Sequence, residues 1–402
     1  MSDGSDTRER QTTLSVEELK LKVRDSVESQ RQQLIQLSLN IHDNPELGLK
    51  EEKASTWLTN YLEKNGFRVE RGLGGLATAF RATYGQGSPT IALLAEYDAL
   101  PKIGHGCGHN IIAASAVGAG VASKCVIDQL GGTVVVLGTP GEEGSGGKIE
   151  MVKAGVFEGI DVAMIVHPNT RNMPTEEALA CSSLEVEFFG RAAHASGQPH
   201  QGVNALDAMI LAFTAINSLR QHIKPDARIH GIITDGGEAP NIVPAHSAAV
   251  FLVRAIDNDY LAELKDKVLN CFTGASVATG ARLEYKWRET TYAPMKNNMV
   301  LAELVKKNLE SLGREVEAFD PRIGLGSTDM GNVSQVVPSI HATIAIAPVG
   351  VLLHTPEFAA AAASQAGQQG VIDAAKALAM TVVDILGQPT VLDRIRQRFR
   401  HG

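Results

Sequence analysis

The chain has 402 residues, 44% hydrophobic and 20% charged, with a formal net charge of -8. That length carries a full core and predicts two domains, or one domain with a large insertion. The acidic balance and the lack of a basic run argue against nucleic acid as the main partner. The four cysteines, Cys107, Cys125, Cys181 and Cys271, show no disulfide framework and suit a reducing compartment. No apolar run reaches the ~20 residues that span a bilayer. The polar start of the chain lacks the apolar core of a signal peptide. The expectation is a disordered tail over residues 1–14 and a cytoplasmic protein without membrane contact.

A capping box at Ser15–Glu18 opens a long amphipathic helix with Leu19, Val23, Leu34, Leu37 and Ile41 on its apolar positions. Asn44-Pro45 breaks it, and a second helix covers about Lys50 to Lys64. Strands are predicted at Phe67–Arg71, Ala77–Tyr84 and Thr90–Ala95, then an Ala- and Gly-rich helix at Asn110–Lys124 that suits close packing on a sheet. Gly132–Gly138 and Asp161–Val166 read as strands buried on both faces, separated by a Gly-rich loop and a short helix through Met151. Strands alternating with helices predict an α/β sheet.

From Leu179 the pattern changes. Leu184–Phe189 alternates like a half-exposed strand. A helix at Asn204–His222, strands at Ile229–Thr234 and Ala248–Arg254, a helix at Asp259–Ala278 and a strand at Arg282–Trp287 follow. This β-α-β-β-α-β order is the ferredoxin-like signature and predicts an inserted α+β domain of about 110 residues. After Pro294 the α/β pattern returns: a helix at Met299–Leu312, a Gly-rich turn at Gly324–Gly331, a strand at Ile340–Ile346 and a long helix at Phe358–Leu386. The expected domains are a catalytic part over 15–178, the insertion over 179–292, and a second catalytic part over 293–402.

In open α/β sheets, sites form where strand C-termini meet their loops. Cys107 and His109 follow one strand, Glu142 and Glu143 the next, and His167 the third. Thiolate, imidazole and carboxylate together suit a transition metal. A Cys in a Gly-rich turn and a His at a strand end are also ordinary core residues, so the pattern, not any one residue, carries the reading. The loop Thr139–Lys148 is no phosphate loop: Glu142 stands where the first Gly is required, and Ile149 follows the Lys. Paired Glu residues beside a metal allow one to ligate while the other acts as general base. His354 precedes the last helix, far away in sequence. In the insertion, His194 could stabilise an oxyanion, and Asn241 and Arg254 could hold a substrate carboxylate; turn residues and a surface ion pair are the plain alternatives.

These residues resemble the M20 metallopeptidases, in the amidohydrolase branch that includes indole-acetyl-amino-acid hydrolases, p-aminobenzoyl-glutamate hydrolases and N-acyl-amino-acid deacylases. The matching stretches are Glu96–Pro101, Gly106–Asn110, Gly138–Glu143, Ile165–His167, Ala192–His194, Pro240–Pro244 and His354, spread over nearly the whole chain. Glu96–Pro101, Gly326–Asn332 and His354–Phe358 are most similar to the dipeptidase-like subgroup called peptidase M20 domain-containing protein 2, associated with dipeptides ending in Lys, Arg or ornithine. The resemblance implies an aminopeptidase-like catalytic domain with a dimerising lid, and a homodimer. It implies two divalent metals, zinc or manganese with cobalt as a further option, on Cys107, His109, Glu143, His167 and His354, with Cys107 shared. Glu142 would be the general base, Asp98 would steady the ligand loop, and His194 would support the oxyanion, in its own subunit or from a partner. Asn241, Arg254, Ser327 and Thr328 would face substrate, a small dipeptide or N-acyl amino acid. One departure is Asn110-Ile111-Ile112, where the branch often has Asp and a further His.

Two rivals stay open at this level. A metal-binding protein without activity would have no use for Glu142, and a nucleophilic Cys107 hydrolase would leave Glu142, Glu143 and His167 idle.

Overall fold

The computed structural model describes residues 14–320 and 325–401. Residues 1–13 of the expected tail, and Gly324 of the expected Gly-rich turn, lie outside the described residues. The first described helices are α1 (Val16–Ser29), α2 (Arg31–His42) and α3 (Glu52–Lys64). Ser15 and Glu18 form the capping box reciprocally. The single long helix expected here is two helices, because the chain turns at Gln30, whose side chain bonds back to the Ser26 carbonyl and to Tyr61.

Strands β1 (Arg68–Arg71), β2 (Phe80–Gln86), β3 (Thr90–Ala95), β4 (Gly132–Gly138) and β5 (Val162–Asn169) interleave with α4 (His109–Leu130) and α5 (Gly147–Lys153). The insertion comprises β6 (Ala180–Phe189), α6 (Ala205–Leu219), β7 (Arg228–Asp235), β8 (His246–Ala255), α7 (Asn258–Thr279) and β9 (Arg282–Tyr292). The chain then adds α8 (Met299–Ser311), α9 (Met330–Val336), β10 (Ser339–Ala345), α10 (Pro356–Ala363), α11 (Gln365–Gly387) and α12 (Pro389–His401).

Two sheets result. The larger has order β1-β2-β4-β3-β5-β10. Its β4, β3, β5 and β10 run parallel, while β2 is antiparallel to β4 and β1 to β2. Along β3, Ile91 and Leu93 enter the core under α4 and α11, while Ala92 and Leu94 enter the core on the other face. Both faces are covered, which is why these strands read as unbroken apolar runs. The smaller sheet, β7-β8-β6-β9, is wholly antiparallel and packs α6 and α7 on one face, the ferredoxin-like arrangement.

The helix α4 corrects the view that no segment is long and apolar enough to span a bilayer, since by length and composition it is. It is instead the central core helix, packed against α11, α1 and the sheet. Its small residues permit that: a Cβ on Gly120 would lie 2.5 Å from Val136 Cγ2. The expected final helix is also two, because Ser364 is extended and caps α11 through a bond from Gly367 N. The turn expected at Gly324–Gly331 leads into α9, and α12 was not foreseen.

Candidate metal centre and active site

The sheet delivers its ligand-type side chains to one end. Cys107 and His109 flank Gly108, which has φ 78 and starts α4. A Cβ at Gly108 would sit 2.5 Å from Pro168 Cγ, so only glycine lets this loop pass under the end of β5. His167 lies inside β5, not after it. Glu142 and Glu143 sit on the turn after β4. His354 enters from the loop before α10 at φ 63, a conformation disfavoured for a non-glycine residue, with its N–H bonded to the Gly106 carbonyl.

Three sets of donor atoms converge, each within 4.8 Å: Cys107, His109 and His167; Cys107, Glu143 and His354; His109, Glu142 and Glu143. Cys107 and His109 each belong to two sets. The tautomers suit coordination. His167 Nδ1 is 2.7 Å from the Pro168 carbonyl, leaving Nε2 directed to Cys107 Sγ at 3.4 Å. His109 Nδ1 is 2.9 Å from Asp98 Oδ1, leaving Nε2 buried, 3.5 Å from Glu96 Oε2 and without a hydrogen-bond partner among the described residues. Glu143 Oε1 is also buried without a hydrogen bond, 3.3 Å from His354 Nε2. Buried polar atoms without partners are costly, and a cation among them removes that cost. The donor set therefore fits divalent metal.

The electrostatics differ from group to group. Burial pushes the Cys107 thiol well above its usual range, so a buried thiol 7% exposed needs a metal to become a thiolate. That also disfavours the free-nucleophile rival. Burial lowers His167 to about 4, so it is a neutral imidazole ready to donate. Burial opposes a proton on His109, yet Asp98 outweighs it and raises the group well above the usual histidine value. Burial, then the Glu96 and Asp329 carboxylates, raise Glu142. For Glu143, burial works upward but the facing His354 imidazole, 3.3 Å away, prevails and holds it low.

Asp98 contacts two of the candidate ligand residues. Its Oδ1 meets His109 and its Oδ2 accepts from the Glu143 N–H at 2.8 Å, so one carboxylate holds two candidate ligand residues. At the departure, the Asn110 amide nitrogen bonds Ser38 Oγ and the Ala362 carbonyl, while its Oδ1 is buried without a hydrogen-bond partner among the described residues. Ser327 accepts from Arg254 Nη1 at 3.0 Å, and both line a cavity of about 340 Å³ with Glu142, Glu143 and His354. Thr328 lines the adjoining cavity of about 540 Å³ with Cys107 and His167. His194 and Asn241 are brought beside each other through the Asn241 carbonyl and Ala195 N–H, but both are exposed and line neither cavity.

The sequence reading missed Glu96, Lys148 and Asp329. Lys148 Nζ is wholly buried, 2.6 Å from Glu96 Oε1 and 2.5 Å from Asp329 Oδ1. Glu96 and Asp329 stand inside stretches that carry the family resemblance, but nothing marks Lys148 as buried.

The sequence model of peptidase family M20/M25/M40 matches residues 92–367, which hold every donor named above. This chain belongs to the M20/M25/M40 peptidase family. It is 38% identical to the Xaa-Arg dipeptidase of Mus musculus, covering 96% of this chain and 93% of that one. It is 30% identical to a p-aminobenzoyl-glutamate hydrolase chain of Escherichia coli (strain K12), over 94% of both chains. Its fold matches a dinuclear metal binding peptidase of the M20 family from Bacillus subtilis at TM-score 0.71 and 18% identity, covering 89% of this chain and 99% of that one. The chain is thus an M20 hydrolase, metal-dependent and built as a catalytic domain with an inserted domain.

Proposed function

We propose that this M20 hydrolase is a dipeptidase that cleaves dipeptides ending in Lys or Arg. The observation that carries the reading is the convergence of Cys107, His109, His167, Glu143 and His354 with Glu142 at the wall of an open cavity. The relationship to the Xaa-Arg dipeptidase supports the substrate class. We further propose two metal ions, which Cys107, His109, Glu143, His167 and His354 would hold; thiolate with imidazole and carboxylate suits zinc, and manganese or cobalt are accepted by similar sets. Bound there, such ions supply Lewis-acid polarisation of the amide carbonyl and make water more acidic. Glu142 takes the proton from the attacking water and passes it to the leaving amine nitrogen. Arg254, positioned by Ser327, takes the substrate carboxylate, with Thr328 beside it.

His194 and Asn241 need a second chain to reach a cavity. The homodimer we propose uses the inserted unit, residues 179–292. Its edge strand β7 exposes Ile232 at 67% and Ile233 at 41%, and its helix α6 exposes Ile210 at 51%. His194 of the partner subunit would then donate to the developing oxyanion, and Asn241 of the partner subunit would contact substrate.

A second reading, hydrolysis of an N-acyl or aryl amide of an amino acid, is favoured by the relationship to the p-aminobenzoyl-glutamate hydrolase. A mass-spectrometric screen of metal-loaded protein separates the two. Its panel holds Xaa-Lys and Xaa-Arg dipeptides, N-acetyl amino acids, indole-acetyl amino acids and p-aminobenzoyl-glutamate, each with an EDTA control. EDTA-sensitive cleavage confined to the dipeptides supports the first reading. Cleavage confined to the acyl or aryl amides overturns it in favour of the second.

A further inference from the structure

The donor cluster opens on two sides of opposite charge. One cavity, of about 340 Å³, leads to Arg254 and Arg288. The other, of about 540 Å³, leads past His341 to Glu176 and Glu177, on the segment between β5 and β6. Both share Glu142, Glu143, Ser327 and His354, so the two cavities meet over the cluster.

Glu176 has the buried His341 imidazole beside it, but Glu177 has no cation beside it among the described residues. Glu177 is half-buried, and among the described residues its hydrogen-bond partner is the neutral amide of Asn297, 3.3 Å from Oε1. Glu176 Oε2 lies 3.1 Å from His341 Nδ1. That contact is not aligned as a hydrogen bond and the ring is only 3% exposed, so Glu177 is the carboxylate of this wall left without a cationic neighbour. The cation on this wall, Arg171, is engaged by Glu317. A half-desolvated carboxylate facing a cleft is stabilised by an arriving cation, and opposed walls fix the direction in which a dipolar ligand lies.

We propose that Glu177, with Glu176 behind it, is the subsite for a substrate cation, an ammonium or guanidinium, opposite the arginine wall that takes the carboxylate. This rests on the dipeptidase reading. The cation has two sources in a basic dipeptide: the α-ammonium of the first residue or the side chain of the second. An N-acyl substrate lacks the first, and a neutral second residue lacks the other.

The test uses full-length metal-loaded protein and four peptides: Ala-Lys, Ala-Ala, N-acetyl-Ala-Lys and N-acetyl-Ala-Ala. A peptide that is not cleaved is measured as a competitive inhibitor. Glu177→Gln is expected to weaken Ala-Lys at least about tenfold more than N-acetyl-Ala-Ala, chiefly in KM. Glu177→Asp should restore most of the difference. A selective loss that persists with N-acetyl-Ala-Lys assigns the side chain; one that persists with Ala-Ala assigns the α-ammonium. Equal effects on all four peptides, in protein of unchanged melting temperature, overturn the subsite while leaving the dipeptidase standing. A Glu177→Gln protein that unfolds leaves Glu177→Ala and Glu176→Gln to be compared on the same ratios, and no change in both overturns the subsite. Wild-type protein that neither cleaves nor binds any of the four removes the dipeptidase reading and the subsite with it.

Discussion

The Lys148 ammonium lies 2.5 Å from Asp329 Oδ1, across 181 residues of chain, and neither side chain reaches solvent. The Lys148 backbone N–H bonds the other oxygen of the same carboxylate at 2.9 Å. Glu96 Oε1 is 2.6 Å from the ammonium. One buried cation therefore ties the helix after the Glu142 turn to the end of β3 and the start of α9. Burial works against its charge, but Asp329, Glu96 and Glu142 outweigh that and raise it above the usual lysine range.

Lys148→Met removes the cation and leaves Glu96 and Asp329 facing each other in the core. Breaking one side of a buried ion pair costs about 3–5 kcal/mol. Denaturant unfolding of the full chain should show a loss of that order. Adding Asp329→Leu should recover part of it, because the uncompensated charge is removed. An unchanged unfolding midpoint in the single variant would mean the ion pair does not hold the loops.

Glu142→Ala should lower turnover by about 10²–10⁴-fold, the range of a general acid-base group. Metal content by mass spectrometry should stay close to wild type, since Cys107, His109, His167, Glu143 and His354 all remain. Glu143→Ala should instead lose metal. Turnover retained in Glu142→Ala would remove the base assignment.

Cys107, His109, Glu143 and His167 were legible because they fall at or after the ends of apolar runs, and such runs are buried parallel strands. Cys107, Glu143 and His167 could thus be brought together from pattern alone. His354 could not, since its approach depends on the bond from its N–H to Gly106 across most of the chain. Lys148 was opaque for a different reason: a lysine after two glycines looks solvated, and only Asp329 and Glu96 show otherwise. The helix breaks at Gln30 and Ser364 were hidden because apolar spacing continues across both. At α12 the signal was present in Gly387-Gln388-Pro389, a stop followed by a fresh helix start.

Asp98→Ala should weaken metal binding by about 10–100-fold, the usual effect of losing a group that orients a ligand. The reason is its double hold on His109 and on the Glu143 N–H. Competition with a chromogenic chelator measures the affinity directly. Asp98→Asn keeps an oxygen acceptor and should fall between. Equal affinities for wild type and Asp98→Ala would show that β3 and α4 alone fix the ligand loop.

His246 joins three strands at one end of the smaller sheet. Its Nδ1 is 2.6 Å from Asp235 Oδ2 at the end of β7, and its Nε2 is 2.9 Å from Glu187 Oε2 on β6. The hydrogen bond to Asp235, then that to Glu187, raise its pKa above the ordinary 6.5. A group whose folded pKa is raised contributes stability fully present below the unfolded value, and that contribution fades as pH rises through the folded value. His246→Gln should therefore be less stable than wild type in acid, about one unit below the ordinary imidazole value of about 6.5, and the gap should narrow toward about pH 9. All three side chains are 36–50% exposed, so solvent screening keeps the effect below about 1 kcal/mol and added salt should shrink it. Thermal melting of both proteins across that range is the measurement. Parallel profiles would mean the cluster is bound equally at every pH and that His246 carries no charge-linked stability.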